Sequence, residues 1–495
     1  MADLDRRIGA HSFARLLGEW RPPDGRGLAT ALADRVRLLV LDGRLPLQTR
    51  VPPERELAIA LGVSRTTVAS AYDALRAAAV LHSRRGAGSW TQLPADPGGT
   101  DAQRSVGLAP FSPQADRALL DLAHAALPAP GAALRRAAAT AVHDLDALLG
   151  GHGYDLLGLP ALRAAVADRY TARGLPTTPD QVLVTGGGQQ AISLVVGALT
   201  GPGDRILVEH PTYPNALEAI AHRGARAVPV PMGPHPDGTG SWDLKLVAAT
   251  VRDAAPRLAY LIPEHQNPTG AVLDEACRLR LVEMARRTGT PLLVDETLVE
   301  LGFADHRPTP VAAHAPDSPL LISVGSASKA FWGGLRVGWI RTAAPLVRRI
   351  AAQRAAVDLG GPALEQLLVA RLLADVEEVT SARRIELAAA RDHLLGRLAA
   401  TFPRWRPSRP TGGLSLWIEL DEPGSSRLSV AARRHGVLLA AGPRFGLDGA
   451  FERHLRLPYT LRRDRMDLAL ERLALAWQGL DHAAPAVEAE PVAVA

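Results

Sequence analysis

The chain has 495 residues, 47% of them apolar, which is too long for one ordinary domain and enough for about two to four core units. No run of about eighteen apolar residues escapes a charge, and Asp3, Asp5, Arg6 and Arg7 open the chain with no long apolar run behind them. With a single cysteine, Cys277, and so no internal disulfide, the chain reads as a cytoplasmic protein without a membrane span. The formal charge of +5 falls within residues 1–93, where 14 arginines face 9 acidic residues, so any nucleic-acid surface is expected there.

Leu28–Leu41 reads as a helix with one apolar face at positions 32, 36, 39 and 40, ended by Asp42-Gly43. Pro52-Pro53-Glu54 starts a second helix, Glu54–Leu61, with proline where a missing N–H costs least. Gly62 stops it. Val63 is expected as a buried turn residue, and Ser64 as the cap of a third helix, Arg65–Ala78. Val80–His82 and Ser89–Thr91 then flank a basic tip, the pattern of a small hairpin or wing. Two short helices joined by Leu-Gly-Val-Ser are a helix-turn-helix signature, whose last helix places Ser64, Arg65, Thr66 and Thr67 toward a major groove. Arg65 could bond guanine or phosphate, Arg84 and Arg85 in the wing would meet phosphate or the minor groove, and Arg55 is another phosphate candidate. A helical bundle with ordinary surface arginines is the plainer alternative. The order Gly43–Ala58, Leu61–Val68, Ala71–Leu75 resembles the winged helix-turn-helix of GntR-type bacterial repressors, departing at Gln48, Pro53 and Ala79.

Residues 94–116, with Pro94, Pro97, Gly98, Gly99, Pro110 and Pro113, read as a linker. Beyond it, residues 117–480 alternate helical stretches with short apolar runs. Strands are expected at Gln181–Thr185, Arg205–Glu209, Arg226–Val230, Ala259–Ile262, Pro291–Val294 and Leu320–Val324. Helices are expected at Gln189–Leu199, Ala216–His222, Leu244–Ala254 and Asp274–Thr288. That is a mostly parallel sheet covered on both faces, with its ligands at the carboxyl ends of the strands. The tail, residues 481–495, has little to anchor it and is expected to be disordered.

The candidate chemistry gathers at those strand ends. Only two lysines remain in the chain, Lys245 and Lys329, while the other positive charge is arginine. Arginine serves as a surface charge but cannot form a Schiff base, so Lys329 is either an ordinary surface lysine or the attachment point of an aldehyde cofactor. Rarity alone does not separate the two. Such a cofactor needs a carboxylate for its ring nitrogen, a donor near the ring oxygen, an aromatic face, and N–H, hydroxyl and arginine groups for a phosphate. Asp295, Asn267 and Tyr213 supply the first three; Gly187, Gly188, Gln189, Ser326, Ser328 and Arg336 the rest. The glycine turn alone is a weak signal; the ordered set carries the reading. No metal-ligand spacing is visible, even beside His82 and His265.

In order, Gly153-Tyr-Asp155, Thr185–Gln189, Pro211-Thr-Tyr213, Gln266–Gly270, Asp295, Ser326–Lys329, Gly334-Leu-Arg336 and Leu455-Arg-Leu457 resemble fold-type I aminotransferases. The resemblance implies pyridoxal 5′-phosphate on Lys329, Tyr154 reaching a neighbouring subunit's phosphate, and Arg456 binding a substrate or effector carboxylate. It departs where the family carries a tyrosine just after the aspartate: Thr297 and Leu298 stand there, leaving Asn267 most of the ring-oxygen interaction and weakening the expectation of fast transamination. Head and body together resemble the MocR-type regulators. The implied fold is a winged helix-turn-helix (residues 1–93) joined to an α/β fold-type I aminotransferase-like domain with a small C-terminal α+β subdomain. The implied function is a homodimeric regulator of operator DNA whose body senses pyridoxal phosphate, an amine or an amino acid. An active aminotransferase carrying a DNA-binding head, and a cofactor-free dimerisation scaffold, are the alternatives.

Overall fold

Local sequence signals set the head. In the computed structural model, which describes residues 6–22, 25–41, 45, 47–84, 88–92, 119–304 and 307–481, four helices come first: α1 (Ala10–Leu17), α2 (Leu28–Leu41), α3 (Glu54–Leu61) and α4 (Arg65–Ala77). Leu32, Val36, Leu39 and Val40 of α2 are all buried, as the helical period requires. Gly62 ends α3 in the left-handed conformation, at φ 62°, and Ser64 Oγ accepts the Thr67 N–H at 3.0 Å to cap α4. Val63 differs from expectation: it is half-buried, packed against the rim of the head core. α1 had no place in the sequence reading. Its Phe13 and Leu17, with Trp20 after it, close that core from the N-terminal side. Two short strands, β1 (Arg6–Arg7) and β2 (Thr49–Arg50), join the wing strands β3 (Leu81–Arg84) and β4 (Gly88–Thr91) in the sheet order β1-β2-β4-β3. Asp42-Gly43, Arg85, the linker at 94–116 and all but the first residue of the tail lie outside the described residues.

The body begins with β5 (Leu120–Leu122), α5 (Gly131–Asp144) and α6 (Pro160–Ala172). Its large sheet contains β6 (Val182–Thr185), β7 (Arg205–His210), β8 (Arg226–Pro231), β9 (Leu258–Leu261), β10 (Leu292–Asp295), β11 (Leu321–Ser326) and β12 (Gly338–Arg341). The order is β6-β12-β11-β10-β9-β7-β8, parallel except for β12, which pairs antiparallel with both neighbours. All four residues of β6, β9, β10 and β12 are buried, as strands covered on both faces must be. Covering and connecting helices are α7 (Gly188–Leu199), α8 (Pro214–His222), α9 (Leu244–Ala254), α10 (Glu275–Thr288), α11 (Ala327–Ala330), α12 (Ala344–Arg354), α13 (Ala363–Ala374) and α14 (Val376–Thr401).

The small subdomain has its own five-stranded sheet: β13 (Arg406–Pro407), β14 (Ser415–Glu419), β15 (Val437–Ala441) and β16 (His454–Pro458), with β5 added at one edge, parallel to β15. α15 (Ser425–Arg434) and α16 (Arg463–Asp481) back it. β5 ties the start of the body to its C-terminal sheet, a pairing no local pattern announces.

The head rests on this subdomain. α2 packs against α15, and Leu38, Val430 and Ala441 form a small shared core. At its centre Arg35, 1% exposed, donates to Glu452 Oε1 at 2.7 Å and to Ser426 Oγ at 2.6 Å, and its Nε reaches Leu17 O at 2.7 Å. Gly18 and Gly449 meet backbone to backbone: a Cβ on Gly449 would lie 2.5 Å from Gly18 Cα and 2.6 Å from Arg35 Nη2. Both glycines also have positive φ, 60° and 80°, so side chains are excluded twice over. Arg35→Ala would strand a buried Glu452, at a cost of about 3–5 kcal/mol to the docked arrangement. Scanning calorimetry should then resolve a separate, earlier transition for the head; a single unchanged transition would show that the pair does not hold it.

Candidate functional site

Five strand ends converge on a cavity of about 290 Å³ between the large sheet and the small subdomain. β10 delivers Asp295, β11 delivers Ser326, Ser328 and Lys329, and the loop after β9 delivers Asn267. Tyr213, after β7, lines the cavity, as do Gly188 and Gln189 at the start of α7, Arg336, and Arg456 from β16. Gly187 lies behind them at φ 103°; a Cβ there would sit 2.6 Å from Arg336 Nη2. Tyr154 is not part of this cavity. It is 68% exposed and lies beside Leu359 in a separate surface hollow.

Asp295 is the most constrained group. Its Oδ1 accepts the Thr297 N–H at 3.0 Å and its Oδ2 accepts the Tyr260 hydroxyl at 2.7 Å. Burial pushes its pKa up, while those two bonds and the charge of Lys329 pull the other way. Tyr260 is a partner the sequence reading missed. It pairs with Leu293 across the β9–β10 ladder, and Asp295 lies two residues further on, so alternation puts both side chains on one face. Leu298 and Thr297 both line the cavity, where the aminotransferase pattern has its tyrosine.

Lys329 is half-buried, and its Nζ donates to Ala125 O at 2.8 Å. Burial, then the charge of Arg456, lower its pKa to about 8, with Asp295 opposing and Arg336 adding to the fall. Arg336 holds a left-handed backbone, φ 49°, which aims its guanidinium at Gly186 O, 2.8 Å away. Arg456 donates from Nη1 to Asn267 Oδ1 at 3.3 Å and from Nη2 to Ala123 O, and lies over the Phe445 ring. That contact occupies the amide oxygen of Asn267 and leaves its N–H₂ for another acceptor. A second residue the sequence reading passed over is Glu209. Buried and pushed up to about 7 by desolvation, it accepts from Trp242 Nε1, Ile262 N and Gln266 Nε2, and so anchors the loop that carries Asn267.

The cavity fits a phosphorylated pyridine aldehyde by its own unmet needs. Ser328 Oγ, Gln189 Oε1 and Arg456 Nε are buried without a hydrogen-bond partner among the described residues. A Cβ on Gly188 would come within 3.1 Å of Thr297 Cγ2, so glycine keeps the N-terminus of α7 open to an anion.

On the head, Ser64, Arg65 and Thr66 are exposed at the start of α4, Thr67 is half-buried, and Arg55 is exposed on α3. Arg65 lies 3.5 Å from Glu54, and Arg84 is stacked over the Trp90 ring of the wing. Docking through α1 and α2 leaves this face uncovered.

Residues 132–473 match the family "Aminotransferase class I and II", more than half of the chain. The chain belongs to the class I and II aminotransferase family. Residues 28–90 match "Bacterial regulatory proteins, gntR family", so the fusion is that of a GntR/MocR-type regulator. It is 27% identical over 476 residues to the uncharacterized HTH-type transcriptional regulator YisV of Bacillus subtilis, covering 90% of this chain and 95% of that one. It is 32% identical over 331 residues to the probable rhizopine catabolism regulatory protein MocR of Rhizobium meliloti, covering 62% and 64%. Among solved structures, LysN, an α-aminoadipate aminotransferase from Thermus thermophilus complexed with N-(5′-phosphopyridoxyl)-L-leucine, superposes with a TM-score of 0.67 at 29% identity, covering 77% of this chain and 99% of LysN. Among the described residues no helix is long and apolar enough to cross a membrane.

The lowered pKa of Lys329 has a direct readout, because the chain holds only one other lysine. The reactive neutral amine should predominate above about pH 8 and decline steadily as the pH falls below it. Amine-selective acylation of cofactor-stripped protein, mapped by mass spectrometry, should give a Lys329 labelling rate that rises with a midpoint near 8. A midpoint at the ordinary lysine value would show that the cavity does not shift this amine.

Proposed function

We propose that this chain is a DNA-binding transcriptional regulator whose aminotransferase-like domain holds pyridoxal 5′-phosphate on Lys329 and senses that cofactor or a small amine or amino acid. The observation that carries the reading is Lys329 itself, lining one cavity with Asp295, Arg336 and Arg456. The LysN structure, complexed with a phosphopyridoxyl amino acid, supports the same use of the fold.

When bound, the cofactor would supply an electrophilic aldehyde and an electron-withdrawing ring. Asp295, with both oxygens already fixed by Tyr260 and Thr297, would hold a proton on the ring nitrogen. Arg336, the N–H groups at the start of α7 and the Ser326 and Ser328 hydroxyls would hold the phosphate. Asn267 would donate its amide toward the ring oxygen, Tyr213 would cover one face, and Lys329 Nζ would take up and release the proton. Arg456 would receive a ligand carboxylate.

A homodimer on paired operator half-sites is part of the reading. Tyr154 and Leu359 leave an exposed hollow on the large domain that a second copy would cover, bringing Tyr154 toward the partner's phosphate. A ligand would alter DNA affinity only through unequal affinity for two placements of the heads.

Purified protein should show a cofactor absorbance band that Lys329→Ala removes, and operator affinity should respond to added pyridoxal phosphate or to an amine that reacts with the loaded protein. Substantial multiple turnover of an amino donor and a keto acid would instead favour the enzyme reading. In the head, Arg65→Ala should weaken operator binding by about 1–3 kcal/mol and relax its sequence preference, while Arg84→Ala should reduce the salt slope by about one. Equal binding by both variants and the parent would remove α4 and the wing from the interface.

A further inference from the structure

One charged side chain in the cavity has no task in that scheme. Arg444 lies in the turn after β15, half-buried, and lines the cavity that Arg456 enters from β16. The other cations there are engaged: Lys329 by Ala125 O, Arg336 by Gly186 O, and Arg456 by Asn267 Oδ1 and Ala123 O. Arg444 has no hydrogen bond or ion pair among the described residues. The two arginines are also close enough to repel. Burial first, and Arg444 next, hold the Arg456 pKa down at about 10. Against four cationic side chains the cavity lining offers one carboxylate, Asp295.

Two guanidinium groups that line one cavity repel each other until anions enter it, with Tyr213 and Asp121 opposing that repulsion at Arg456. The phosphate of the cofactor would answer Arg336, and one carboxylate would answer Arg456. That leaves one positive charge over.

We propose that Arg444 is a specificity-determining residue and that the ligand is an amino acid bearing a second carboxylate, its α-carboxylate on Arg456 and its distal carboxylate on Arg444. This rests on reading the cavity as the site for pyridoxal phosphate and an amino-acid ligand. A planar guanidinium matches a carboxylate through two parallel N–H donors, which favours a carboxylate over an uncharged polar end. A monocarboxylic amino acid of equal length would leave Arg444 unpaired beside Arg456.

The test uses the full chain with unreactive probes: succinate, glutarate and adipate against butyrate, valerate and hexanoate, titrated by calorimetry with and without bound cofactor. At least one diacid should bind about tenfold or more tightly than its length-matched monoacid. In Arg444→Gln that ratio should fall to about one, and Arg444→Lys should restore much of it. With the cofactor in place, glutamate and 2-aminoadipate should shift the absorbance band at lower concentration than norvaline and norleucine, a difference that Arg444→Gln should abolish. No diacid preference in the parent, a preference that survives in Arg444→Gln, or no measurable binding of any probe overturns the proposal. Absence of a Lys329-dependent absorbance band overturns the cofactor reading instead, and the diacid ratio on cofactor-free protein still decides the role of Arg444.

Discussion

A carboxylate at the end of a buried strand is the constraint around which this body is arranged. Asp295 sits where burial opposes its charge, and it can stay there only because two fixed donors and a nearby lysine meet it. Those partners come from different places in the chain: Tyr260 from the neighbouring strand, the N–H from Thr297, and the charge from Lys329 after β11. The parallel register of β9, β10 and β11 brings them together, so an error of one residue in either ladder would turn Tyr260 or Asp295 to the other face. The sheet is therefore a positioning device as much as a core.

The same logic recurs around the cavity. Glu264 is paired with Arg278 at 2.6 Å, and Glu296 with Arg173 at 2.9 Å and with the Ser323 hydroxyl at 3.0 Å. Glu209 is met by three neutral donors, Trp242, Ile262 and Gln266. Each such group costs desolvation and returns little net stability, but losing one partner would leave an unpaired buried charge. The loops they tie down carry Asn267, Thr297 and Leu298. Rigidity at the strand ends comes from these polar anchors, since loops alone have few apolar contacts to hold them.

Helices α2, α3 and α4 and the wing strands were legible nearly residue by residue because their signals are local. The apolar period of α2, the Gly62 stop and the Ser64 cap each act within one or two helical turns. Predicted strands of the large sheet lie within one or two residues of the observed ones because doubly covered strands are apolar runs. β12 escaped notice because Gly338-Trp-Ile-Arg341 is short, ends in an arginine and inserts antiparallel between strands far apart in sequence. Tyr260, Glu209, Arg35 and Arg444 escaped for a related reason. Each takes its meaning from a partner far along the chain, or, for Arg444, from standing in a shared cavity, and no window of sequence contains both sides of such a relation. The cavity set of Asp295, Asn267, Tyr213, Arg336 and Lys329 could be collected from sequence because each stands at a strand end, and strand ends share a crevice.

The segment from Gly442 to Glu452 serves two neighbours at once. Its first turn puts Arg444 and Phe445 on the cavity wall; a few residues on, Gly449 presses against Gly18, and Glu452 closes on Arg35 of α2. Only the short stretch of backbone from Phe445 to Glu452 thus separates the cavity wall from the head. Gly442 and Gly446 are so tightly enclosed by Phe451 that the turn has little slack in which to absorb a displacement. Mechanically this is a short, tightly packed strut that joins the cavity wall to the head without crossing the large sheet.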